Sequence, residues 1–202
     1  MDNAGETREY GPTSMFKHLP TNEDSPDDSI LSGVSPLSIN CAFLEGSSIW
    51  NLPEGFDGKM HQDTLQVFFA FFNPWCWWVD EDRFRHDMTM SPAPAIPAIK
   101  RTLRTAYYSP LLHFAILAVG VMYLDYLNYS DREALANQFA RNAATFFEDE
   151  IEAAKLSAVS GLMLLGSHHA GHARQGLGYI YAGIGMRLTR IRECPSIFIL
   201  RL

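Results

Sequence analysis

The chain has 202 residues, 47% of them hydrophobic, which is enough apolar material for one ordinary folded domain plus a tail. Its formal net charge of -7 excludes the positive stripe with which nucleic-acid binders grip phosphates, so any work on DNA would have to run through a partner or another segment. Three widely separated cysteines, Cys41, Cys76 and Cys194, suit a reducing intracellular compartment and predict no disulfide.

Residues 1–58 hold ten acids and two bases, whereas the remainder holds thirteen acids and fourteen bases. The opening MDNAGETREY has neither the basic start nor the apolar stretch of a secretory signal. With segments such as PTNEDSPDDS, residues 1–58 read as a disordered acidic leader, because so little apolar burial cannot offset the entropy of ordering. Phe43, Leu44, Ile49 and Trp50 are scattered among its polar residues, an acidic-hydrophobic pattern that can form a short partner-binding element. Composition favours an inert linker over that alternative.

From about His61, Leu65, Phe68, Phe69 and Phe72 recur at three- and four-residue steps and predict a helix, which Asn73 and Pro74 should stop. Trp75, Trp77 and Trp78, with Phe84 beyond, lack interleaved cations for stacking on nucleic acid and are expected to plug the core at that helix end. The following DEDRFRHD reads as a solvated face with local ion pairs rather than a general acid and base. A second helix opens with Ser109 as capping hydroxyl and Pro110 in the first turn, and should reach about Leu127. Its apolar stretch Leu111 to Leu124 is short of the roughly 20 residues of a membrane span and is interrupted by His113, so a buried core helix is expected.

Ser130 and Glu133 form a capping box for a long third helix, with Leu135, Phe139, Ala143, Phe147 and Ile151 as its buried stripe. LSAVSGLMLLGSHHA predicts a further apolar helix ending at Gly171. A last helix over residues 174–190 turns Leu177, Tyr181, Ile184 and Leu188 inward, and Gly178, Ala182 and Gly185 let a neighbour pack close. No strand pattern of comparable length appears, so the fold class is all-α. After Arg190 the character changes: Pro195 and the unbroken apolar run Ile197 to Leu200 make residues 191–202 an atypical tail, and the chain is expected to be a truncated or mis-spliced form of a longer one.

His168, His169 and His172 form the cluster most like a metal site, since His168 and His172 fall one helical turn apart. The glutamate of a zincin helix is missing and no third ligand is at hand, so polar residues suited to a helix C-terminus are the expected reading, and no cofactor is predicted. Neither a phosphate-cradling glycine loop, nor a nucleophile elbow, nor a paired-cysteine metal motif is found, so no catalytic residue is named and no enzyme is expected.

At LQVFFAFFNPWCWWVDEDRFRHDM the sequence resembles the start of the fungal-specific transcription factor domain, the middle homology region of zinc binuclear cluster regulators of the xylanolytic-activator type. Phe72, Pro74, Trp78, Asp80 and Phe84 carry that likeness. YYSPLLHFAILAVGVMY is similar to the family's second helix through Ser109, Pro110, Ala115, Ile116, Leu117, Ala118 and Gly120. The stretch from Leu156 to Leu188 looks like its glycine-joined helix pair, with Leu164, Gly166, Gly171, Arg174, Tyr179, Gly183, Met186 and Arg187 matching. The resemblance spans roughly residues 61–188 and implies a partial helical regulatory domain over 59–190. It further implies a nuclear role in transcription through protein partners of the transcription machinery, self-association or a small effector. Zinc and DNA binding belong to the family's six-cysteine module, whose residues this chain lacks, and departure after Arg190 sets its end apart. The rivals are a free-standing helical interaction protein that modulates an intact homologue, a small metal protein or enzyme using His168 and His172, and a membrane-associated protein using Leu111 to Leu124.

Overall fold

A computed structural model describes residues 52–90 and 104–191, all helical or in connecting turns, with no strand among the described residues. The cysteines Cys41 and Cys194, the scattered apolar residues Phe43 to Trp50 and the tail beyond Ile191 lie outside them.

Order begins earlier than composition suggests. Phe56, inside the stretch read as leader, is buried with its ring edge-on to Phe139, 4.9 Å between centroids. Helix α1, Gly58–Val67, starts at the Asp57 carboxylate, which accepts from the Met60 N–H at 2.8 Å. The predicted stop at Asn73 and Pro74 does not occur. The rod passes through a π-helical turn, Phe68–Phe72, in which the Asn73 N–H bonds the Phe68 carbonyl five residues back, and continues as α2, Asn73–Cys76. A proline ring inside a regular helix meets the carbonyl four residues earlier, and the widened turn opens the ladder just there. The stop falls at Trp77, left-handed at φ 52, whose N–H bonds Asn73 O at 2.8 Å. Buried Asn73 then clamps the exit, its amide donating to Val79 O at 2.9 Å and accepting from Val79 N at 3.2 Å.

Helix α3, Glu81–Met90, buries Phe84 and Met88 and leaves its charges in water, where Arg85 pairs with Glu81 at 2.8 Å and Arg83 with Asp80 at 3.5 Å. Helix α4, Pro110–Gly120, is capped by Ser109 and buries every one of its residues, because α1, α5 and α7 surround it. It gives way to a 3-10 turn, Val121–Tyr123, and so ends short of the predicted Leu127. No helix among the described residues is long and apolar enough to cross a membrane. Two glycines admit the close neighbours. A Cβ on Gly120 would sit 2.7 Å from the Thr64 carbonyl oxygen, and one on Gly161 would meet Leu111 Cδ2 at 2.1 Å.

Helix α5, Tyr129–Ala144, is capped two residues before the predicted box, by Asn128 accepting from Asp131 N at 2.9 Å. The single long helix expected here breaks at Thr145 and Phe146, after which α6 runs over Phe147–Ala153. The break lets Phe146 enter the core against Phe114, ring planes 13° apart, while Leu135, Phe147 and Ile151 are left only partly buried. Helix α7, Leu156–Gly171, lies along α4 and carries α8, Gln175–Ile191, on its other side. The small residues of α8 do admit a close backbone, since a Cβ on Gly178 would sit 3.0 Å from Gly166 O.

Candidate functional site

Three clusters of polar side chains stand within the helical body. In the first, His61 of α1 and His113 of α4 face each other with Nε2 atoms 2.8 Å apart, and the Tyr108 hydroxyl lies 3.1 Å from His113 Nδ1. Burial holds both imidazoles below their ordinary range, His61 to about 4, so neither is charged at neutral pH.

In the second, Arg104 has its Nε 3.0 Å from Glu150 Oε1 and its NH2 2.9 Å from Asp149 Oδ2, and Lys155 donates to the Arg104 carbonyl. Burial pushes the Glu150 carboxyl up to about 7 against the opposing pull of Arg104, Ser109 and Lys155. This is a strut between the segment entering α4 and helix α6.

The third is the histidine cluster where α7 ends. His168 and His172 meet with ring centroids 4.3 Å apart and planes tilted by 38°, and His169 lies nearly parallel to Tyr181 at 5.3 Å. His172 Nδ1 is 2.8 Å from the His168 carbonyl, which can only accept, so Nδ1 donates. Arg174, in the connection before α8, has its NH2 3.3 Å from His168 Nε2 and also donates to Asn137 on α5, tying α7 to α5. Burial first, then the charges of His172, His169 and Arg174, hold His168 down to about 3. His172 Nε2 is buried without a hydrogen-bond partner. Among the described residues no group of three or more His, Cys, Asp or Glu is placed to hold a metal ion. Beside the cluster a cleft of about 200 Å³ opens between Phe72, Val119, Met122, Tyr123 and Tyr129, with Ser167, His168 and His172 at its polar end.

The residues singled out from sequence fall into two groups. Phe72, Trp78, Phe84, Ser109 and Pro110 are scaffold: Phe72 lies edge-on to Trp78, Phe84 is fully buried among Phe69, Tyr108 and His113, and Ser109 and Pro110 open α4. Gly171 closes α7 and Pro74 stands exposed in α2. Tyr179, 84% exposed, and Arg187 project from the side of α8 away from α7, beside Ile180, Met186 and Arg190. The expected tryptophan plug is corrected: Trp75 and Trp77 are 72% and 79% exposed, and only Trp78 packs inward. The π-turn adds a residue to its coil and rotates everything after it, carrying both indoles outward.

Sequence reasoning missed the His61–His113 pair, the Arg104–Glu150 strut and the cleft. A histidine inside the wholly apolar run of α4 was a hint of the first. The partners of the second are separated by 46 residues, and Glu150 sits in an acidic stretch that looks solvated.

Compared with known proteins, residues 65–192 match the family model described as the fungal specific transcription factor domain. No curated protein and no solved structure gives a match.

Proposed function

The chain belongs to the fungal-specific transcription factor domain family, and on that premise we propose that it is a regulatory domain acting in the nucleus without touching DNA itself. The carrying observation is that the match runs from Leu65 to just past α8, so it takes in nearly all of the helical body and not one motif. The net charge of -7 favours action through contacts with proteins of the transcription machinery or with another copy of the domain. We place those contacts on the outer side of α8, where Tyr179, Met186, Arg187 and Arg190 border a groove of about 280 Å³ floored by Ala182 and Gly183. Aromatic, methionine and arginine side chains of this kind are the ones enriched in protein interfaces.

The test is a tethering assay. Fused to a heterologous DNA-binding module in fungal nuclei, the chain should change transcription of a reporter relative to the module alone, and Tyr179→Glu with Met186→Glu should remove the effect at equal protein level. A fusion indistinguishable from the bare module overturns the reading.

A further inference from the structure

We infer that the outer groove of α8 takes a short acidic protein segment, one that sets a bulky apolar side chain on the groove floor and carboxylates against Arg187 and Arg190. The inference deepens the regulatory reading and rests on it for the place of the protein contact.

The walls exclude a small molecule. Every residue bordering the groove, from Tyr179 to Arg190, belongs to α8, so its roughly 280 Å³ has one side only. Pockets for small ligands enclose most of their occupant, which one face of one helix cannot do. A protein segment brings the second wall itself. Tyr179, Gly183, Arg187 and Arg190 follow one another at four- and three-residue steps and so share a row along the helix. A Cβ on Gly183 would meet only the end of the Arg187 side chain, at 3.2 Å, so the floor is backbone open to an incoming side chain. Tyr179 and Met186, 84% and 50% exposed, supply apolar surface whose burial favours association.

Charge selects the occupant. Helix α8 carries Arg187 and Arg190 and no acid, and both arginines are exposed. Among the described residues Arg83, Arg85 and Arg104 have carboxylate partners, whereas Arg187 and Arg190 have none. Arg187 NH1 lies 3.1 Å from the Gly183 carbonyl, which leaves the other donors of the guanidinium for a carboxylate. A second copy of the chain would bring the same helix, with two more arginines and no acid. Duplex DNA would meet two cations on a chain of net charge -7. An acidic segment with an apolar anchor complements the floor and the arginines together.

The experiment titrates the purified 202-residue chain with a labelled peptide, followed by fluorescence anisotropy at low salt. The peptide has about fifteen residues, with a tryptophan set between glutamates at helical spacing. Two further peptides carry glutamine or lysine in place of every glutamate. The glutamate peptide should bind about five-fold tighter than the glutamine one, the worth of two exposed ion pairs, and the lysine peptide weakest. Raising the salt should shrink the difference. Arg187→Glu with Arg190→Glu should reverse the order, so that the lysine peptide binds best. Arg141→Glu, at an exposed position of α5 outside the groove, should leave the order as it was. Gly183→Leu, which fills the floor, should weaken all three peptides.

Equal affinity for the glutamate and glutamine peptides, no binding at all, or an order that survives the double charge reversal each overturn the inference. So does a dimer in sedimentation that Tyr179→Glu dissolves, which would give the face to a second copy. Duplex DNA that binds more tightly than the glutamate peptide and is lost on the same reversal overturns it as well. The peptide comparison on the unmutated chain decides the matter even where a variant fails to fold. Binding of the glutamate peptide with an inert reporter fusion would refute the transcriptional reading and leave the groove standing, while an active fusion without peptide binding would do the reverse.

Discussion

Replacing Glu150 by glutamine should change how stability depends on pH, and the size of the change follows from the carboxyl's surroundings. Glu150 is wholly buried, with Arg104 Nε 3.0 Å from one oxygen, yet burial outweighs the cation and raises the carboxyl from an ordinary 4.5 to about 7. A group whose folded pKa is raised contributes stability that is fully present below the unfolded value and is lost as pH rises through the folded one. The window is therefore roughly pH 4.5 to 7, and at about 1.4 kcal/mol per pH unit the loss amounts to about 3 kcal/mol. His61 and His168, lowered to about 4 and about 3, act in the opposite sense: their contribution is present above their ordinary 6.5 and lost as pH falls. The wild-type profile mixes both, so the informative quantity is the difference between variant and wild type. The amide that replaces the carboxyl cannot ionise, and denaturant unfolding followed by circular dichroism should show Glu150→Gln gaining about 2–3 kcal/mol on wild type between roughly pH 5 and 8. Parallel profiles over that range would mean that Arg104 keeps the carboxylate ionised throughout, and would refute the dominance of burial.

Leu117→Asp places a carboxylate at the centre of α4, where the side chain has no exposure at all, and should cost several kcal/mol, on the order of a domain's whole stability; an unchanged thermal melt would show the core is misassigned. Trp77→Gly removes a bulky side chain from a left-handed position at φ 52 and should stabilise by about 1 kcal/mol in denaturant titration, because glycine adopts that geometry without a Cβ clash and the indole is largely in water. A drop in stability instead would show that the exposed indole makes contacts that matter. The purified chain should give no sequence-selective shift of DNA in a low-salt gel assay, as expected for a net charge of -7; a selective band would contradict the proposed division of labour.

Helix existence was readable where apolar periodicity and caps coincided. Ser109 with Pro110 announced α4, the small residues of α8 announced its close seat on α7, and the charges of α3 were rightly placed in water. Those are local properties, set by the spacing of side chains on one helix and by backbone groups a few residues away. The family resemblance was equally readable, since it rests on ordered runs within single helices and their turns. Boundaries were less so. The rod continued past Pro74 because a π-turn opened the ladder at the proline, and α5 broke at Phe146, whose ring packs on Phe114 from a distant part of the chain.

Everything that makes a site depends on distance in space between residues far apart in the chain. His61 meets His113 across 52 residues, Arg104 meets Glu150 across 46, and the cleft draws Phe72, Tyr129 and His172 from three separate stretches. No periodicity encodes such meetings, because they arise from how the helices pack against one another. The sequence could show that His168 and His172 fall one helical turn apart, but not that the His168 carbonyl occupies His172 Nδ1 while Nε2 is buried. Such detail comes from hydrogen-bond geometry and burial, which exist only once the helices have packed.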